Sequence, residues 1–224
     1  MKTFKMIRIL ALMLFVQSTQ IFAQVPVTSV TEGCVSGNCV NGIGKVQYSS
    51  GDTYEGKFVN KLAHGKGKVL AVDGSVYEGD FAKGKFEGQG IHTFKNRDIY
   101  TGQFADGLRH GKGKFVNSYF TYEGNWVKGV REGQGVLTTY IGEVYTGQFA
   151  NNKYEGKGKL DTGTSVYTGD FVNGKKEGKG TSTSSVYNYT GDWKNGQRDG
   201  IGKLTDSRGK LISEGTFKEG KFVK

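Results

Sequence analysis

The sequence predicts an all-β protein, an elongated single-layer antiparallel meander of repeated β-hairpins. Three observations predict it. A Tyr-x-Gly-x-(Phe/Trp) cluster recurs seven times, at Tyr54, Tyr77, Tyr100, Tyr122, Tyr145, Tyr167 and Tyr189, with spacings of 23, 23, 22, 23, 22 and 22 residues. Each cluster is followed by Gly-x-Gly, which begins eleven residues after the Tyr. No apolar pattern of helical period appears after residue 23. A fixed period over nearly the whole chain marks a stacked repeat whose units contact only their neighbours. Such a surface suits binding and is poor at assembling a single catalytic centre.

The chain opens outside the repeat. Lys2, Lys5 and Arg8 precede an apolar run, Ile9 to Val16, and Ile21-Phe22-Ala23 ends in a small residue. Residues 1–23 therefore read as a cleaved secretory signal. The alternative, an uncleaved anchor, meets an apolar run shorter than the roughly 20 residues a bilayer span needs. Cys34 lies too far downstream for a lipoprotein signal. The expected location is exported: periplasmic, associated with the outer envelope, or secreted. Without the three charges of the signal, the formal +10 falls to +7. That excess permits contact with anionic lipid or polymer and does not demand it.

Residues 24–30 form a short linker holding the only proline, Pro26, so the strand ladder itself is free of proline. Counting back one period from Tyr54 places Thr31 at the Tyr position and Gly42-Ile43-Gly44 at the Gly-x-Gly position. Residues 31–53 are thus a degenerate first repeat, and both cysteines, Cys34 and Cys39, lie inside it. An even count in an exported chain suggests a disulfide; a reduced or simply buried pair is the alternative. A zinc site needs about four ligands, and the three histidines are far away in sequence.

Residues 54–212 hold the seven repeats. With Tyr as offset zero, Tyr, Gly and Phe or Trp alternate with period two, which places them on one face of a strand. Offsets one and three, such as Glu55, Glu78, Glu123, Asp80, Asp170 and Asp192, point the other way. A second strand begins near the Gly-x-Gly. Its two glycines are expected on the aromatic face, with rings of the neighbouring strand lying over both. Offset seven carries Gly84, Gly107, Gly129, Gly174 and Gly196, where a turn needs positive φ. Asn152 suits that place, whereas Lys61 implies a turn of different geometry. Asp73-Gly74, Gly142 and Thr162-Gly163 read as turns between repeats. Two strands per repeat give about 10 Å, so seven repeats span on the order of 70 Å. Ser213-Glu214-Gly215-Thr216-Phe217 opens a partial capping repeat over residues 213–224, with Ser in place of Tyr.

The segment Tyr77-Glu-Gly-Asp-Phe-Ala-Lys-Gly84-Lys-Phe-Glu-Gly88-Gln-Gly90 resembles the MORN repeat at every signature position. The resemblance covers about residues 31–220. In family members that are enzymes, a separate domain does the chemistry, and this chain leaves no segment for one. It is similar to small exported bacterial proteins built of the repeats alone, for which the resemblance implies no activity.

The residues agree with a non-enzymatic reading. Gly79-x4-Gly84-Lys85 and Gly169-x4-Gly174-Lys175 imitate a phosphate loop, but Phe86 and Lys176 stand where Ser or Thr is needed. Repeat geometry keeps His64 and His110 roughly 20 Å apart. No catalytic residue, metal or cofactor is expected. The best candidate surface is a lysine stripe on the face opposite the aromatics. Lys66, Lys112, Lys157 and Lys179 stand at offset twelve, and Lys68, Lys114, Lys159 and Lys203 at offset fourteen. Such a stripe suits anionic lipid, at about 1 kcal/mol per lysine. The competing and preferred reading is that carboxylates at offsets one and three neutralise it. The expected role is an exported scaffold that binds a protein or cell-envelope component. Peripheral binding to anionic lipid is the alternative, and nucleic acid is not an expected partner.

Overall fold

The structure is a computed structural model and describes residues 33–224; the expected signal of residues 1–23, the expected linker of residues 24–30 and residues 31–32 lie outside them. Eighteen strands, from Cys34–Gly37 to Lys221–Phe222, form one open sheet. Each strand pairs antiparallel with the next in sequence. There is no helix among the described residues.

Within each repeat the two strands join through a two-residue turn with positive φ at both positions, such as Lys83 (51°) and Gly84 (79°). That is the primed hairpin turn, whose twist matches the strands it connects. The sequence expectation for Lys61 is corrected here. Asn60 and Lys61 adopt φ of 50° and 65°, the same turn as elsewhere. The Lys61 N–H also donates to the Val40 carbonyl at 2.9 Å, as Gly84 does to Ala63 and Gly107 to Phe86. These bonds stack each turn on the preceding repeat and hold Lys61 in a backbone region that costs a non-glycine residue about 1–2 kcal/mol.

The two glycines of Gly-x-Gly do different work, which corrects a second expectation. In the Tyr77 repeat, Gly79 pairs with Gly90 but Asp80 pairs with Glu87, so Gly88 and Gln89 bulge from the ladder. Gly88 has φ of 59°, and a Cβ there would meet Asp80 Oδ2 at 2.9 Å, on the side away from the rings. The first glycine therefore serves the bulge. The bulge frees backbone donors, and offset three satisfies them. Gln89 N–H donates to Asp80 at 3.0 Å, Lys112 N–H to Gln103 at 3.0 Å and Ile201 N–H to Asp192 at 2.9 Å.

The second glycine behaves as expected: the Tyr ring lies over it. The seven Tyr hydroxyls each donate to the carbonyl of offset three, over 2.8–3.0 Å. The rings thus lie down along the sheet, and all seven are buried although no second layer covers them. Each Tyr meets the Phe or Trp of its own repeat and that of the next edge-to-face, as Tyr54 meets Phe58 at 5.1 Å and Phe81 at 4.9 Å. Such pairs contribute about 0.5–1.5 kcal/mol each beyond the area they bury. The core is therefore a continuous ring ladder running the length of the sheet.

Candidate functional site

The face opposite the rings carries the eight stripe lysines, and six of them are ion-paired across strands. Lys66 meets Asp80 at 2.7 Å, Lys157 meets Asp170 at 2.6 Å and Lys179 meets Asp192 at 2.6 Å. Lys68 meets Glu78 at 3.3 Å, Lys203 meets Glu214 at 3.6 Å and Lys114 meets Glu123 at 4.0 Å. The Lys66 and Lys179 ammonium groups, hydrogen-bonded to Asp80 and Asp192, hold both carboxyls below the usual carboxylate range. Exposed pairs of this kind contribute about 0.2–1 kcal/mol each. Most of the stripe is therefore a charge-compensated zipper. Lys112 and Lys159 differ: Lys112 faces Asn125, and Lys159 lies between Thr146 and Thr168 on the two flanking strands.

Lys159 lines a shallow, open recess on this face. A trough of about 750 Å³ crosses the strands Val144–Ala150, Lys153–Asp161, Ser165–Val172, Lys175–Ser184 and Tyr187–Lys194. Its floor is backbone at the paired glycines Gly147, Gly158, Gly169, Gly180 and Gly191. Thr146, Thr168, Thr181 and Thr190 line it together with Gln134, Lys157, Lys159 and Lys179. The Thr181 and Thr190 hydroxyls bond each other across strands at 3.1 Å. The sequence difference behind this is plain. Offset one is Glu at Glu55, Glu78 and Glu123 and Thr at Thr101, but Thr in three successive repeats at Thr146, Thr168 and Thr190. The polar face thus changes from a Lys–Glu zipper to a hydroxyl-lined recess, a change visible in the sequence that offset averaging hides.

A second row of cations escaped sequence reasoning. A two-residue turn at offsets six and seven pairs offset four with offset nine, so offset nine belongs to the aromatic face. There Phe86 stacks on Tyr77 at 3.6 Å and Tyr154 stacks on Tyr145 at 3.7 Å. In other repeats the place is taken by cations. The Arg109 guanidinium lies 4.3 Å from the Trp126 ring centre, and Lys176 lies 4.8 Å from that of Tyr167. Arg131 and Arg198 lie 5.5 Å from Tyr122 and Tyr189. Arg109 donates to the Gly129 carbonyl at 2.9 Å and Arg198 to that of Gly220 at 2.7 Å. Burial pulls the Arg109 guanidinium down to about 10 and lowers Arg131 and Lys176 as well. These cations roof the ring ladder.

Cys34 and Cys39 are disulfide-bonded in the structure, with Cα atoms 6.0 Å apart, and close the first hairpin. His92 is buried on the aromatic face, stacked on Phe94 at 4.1 Å, and burial lowers its pKa to about 4. Among the described residues, no group of three or more His, Cys, Asp or Glu side chains is arranged to hold a metal ion. At the trough the arrangement offers hydroxyls, the Lys159 ammonium with no carboxylate opposite, and an open recess, which are means of recognition.

The MORN repeat model matches residues 54–76, 77–99, 100–117, 122–144, 145–164, 167–188 and 189–210. No curated protein matches the chain. Among solved structures, the chain is similar to the wild-type TCP10 domain of Danio rerio CPAP in complex with a peptide of Danio rerio STIL. That match has 12% identity and a TM-score of 0.40, and covers 78% of this chain and 74% of that one.

Proposed function

Because the chain belongs to the MORN repeat family, we propose that it is an exported, non-enzymatic scaffold that binds a protein or cell-envelope component. The observation that carries this reading is the trough over the last repeats, a recess open to solvent and floored by backbone. The basic start and apolar run of residues 1–23 support export. MORN repeats are interaction modules for proteins or membrane lipid, and the family is not known for catalysis. A second reading is peripheral binding to anionic lipid, favoured by Lys112 and Lys159, which lack a carboxylate opposite. Affinity capture on the immobilised chain, run beside co-sedimentation with acidic and neutral vesicles, tests both. Capture of a defined partner without vesicle binding supports the scaffold. Salt-sensitive sedimentation with acidic vesicles alone would replace it with the lipid reading.

A further inference from the structure

We infer that the trough over residues 146–191 binds an extended acidic peptide segment, with a carboxylate seated on Lys159 between Thr146 and Thr168. The inference rests on the interaction role proposed above and names the chemistry of the partner.

Charge is the first argument. In the chain's own repeats, a lysine at offset fourteen is met by a carboxylate from the neighbouring strand: Lys45 by Glu55 at 3.5 Å, Lys68 by Glu78 at 3.3 Å, Lys114 by Glu123 at 4.0 Å and Lys203 by Glu214 at 3.6 Å. Lys159 occupies the same lattice position with hydroxyl residues on both sides. The place a carboxylate takes elsewhere is vacant of charge here, so a ligand carboxylate completes the pattern.

Shape is the second argument. The recess has glycine backbone for its floor and runs across successive hairpins. A flat bilayer cannot follow a recess, whereas a single extended chain can. The large rings of these repeats, Tyr145, Phe149, Tyr167, Phe171, Tyr189 and Trp193, are all buried on the other face. The trough therefore has no platform on which a sugar ring would stack. Length agrees as well. One three-residue turn of a chain in the polyproline II conformation rises about 9 Å, close to two strand spacings of about 4.8 Å. A peptide in that conformation with an acidic residue at every third position presents its carboxylates on one side, one per repeat, with the first on Lys159.

The test measures fluorescence anisotropy of a labelled peptide of four Glu-Ser-Gly units against the full chain at low ionic strength. Thr168→Glu is the decisive variant. It installs the carboxylate that Glu123 supplies to Lys114, so it is compatible with the fold and should melt no lower than the wild type. It should weaken peptide binding by about tenfold, because like charges then meet in the recess. Lys159→Gln should weaken it by about threefold, and Lys114→Gln should leave it unchanged. Failure of the wild type to bind the peptide overturns the inference. So does binding that survives Thr168→Glu and Lys159→Gln, which would place the contact elsewhere. Acidic vesicles that bind where the peptide does not would move the assignment to lipid. If wild type and Thr168→Glu capture the same partner, the trough assignment falls while the interaction role stands.

Discussion

The Tyr122 ring fills the space into which a Cβ on Gly135 would project. That Cβ would stand 2.5 Å from the Tyr122 hydroxyl oxygen and 2.6 Å from Cε2. The residues belong to the paired strands Phe120–Val127 and Val130–Thr139, where Gly135 is opposite Gly124. Gly135→Ala and Gly135→Val should therefore destabilise the protein by about 1–3 kcal/mol or more, as overpacking does. Lys157→Ala and Lys179→Ala, which lose one exposed ion pair each, should cost less than about 1 kcal/mol. Thermal melts of the four variants decide the matter, and equal midpoints would refute the ring-over-glycine arrangement.

Lys61 holds φ of 65° in a turn where most repeats place glycine. Lys61→Gly should raise stability by about 0.5–1 kcal/mol, the relief of strain exceeding the entropy glycine adds to the unfolded chain. The converse change, Gly84→Lys, should lower it by a similar amount. Denaturant midpoints measure both, and an unchanged or lower midpoint for Lys61→Gly would show that the turn is unstrained.

Alkali should unfold this protein abruptly. Burial pushes the hydroxyls of all seven repeat tyrosines up, Tyr122 to about 12. A group whose folded pKa is raised gives stability that is complete below its unfolded pKa, near 10, and is lost as pH rises beyond it. Each tyrosine contributes about 1.4 kcal/mol per pH unit, so seven together approach roughly 10 kcal/mol per unit. That matches the whole stability of a typical domain. Tyrosinate absorbance and circular dichroism should change together within about one to two units above pH 10. Gradual ionisation with the sheet intact would contradict this.

Acid acts on His92. Burial first, and then the Arg109 charge, lower its pKa from 6.5 to about 4. Between those values the unfolded chain binds a proton the folded chain refuses, so stability falls as pH drops from about 6.5 towards 4. The equivalent positions in other repeats hold Val69, Phe115 and Leu137. His92→Leu should remove about 1.4 kcal/mol of acid sensitivity per pH unit in that window. The difference between variant and wild type isolates this from the ion-paired carboxylates. A constant difference from pH 7 to 4 would mean His92 is protonated in the fold.

The repeat period, the strand parity from offset zero to offset four and the glycine-bearing turns were legible because each rests on local chemistry restated from repeat to repeat. What was lost lay in the pairing. The bulge that separates Gly88 from Gly90 depends on which residues face each other, and Asp80 caps it only because the ladder slips there. Lys61 misled because tertiary bonding to Val40 overrides backbone preference. The lysine stripe was found, but averaging over repeats concealed that Thr146 and Thr168 replace glutamate beside Lys159. Arg109 and Arg198 drew no notice in the sequence, because only the turn length, which pairs offset nine with offset four, puts them among the rings.

A sheet whose strands pair only with their sequence neighbours has a mechanical signature. Pulled from its two ends, it carries load across one hydrogen bond at a time, like an opening zipper, because no pair of distant strands shares the force. Each repeat of 22 or 23 residues should come away separately and lengthen the tether by about 3.3–3.6 Å per residue, roughly 75–80 Å. The trace should be a low, regular staircase, and the trough over the last repeats would be lost only when its own hairpins peel.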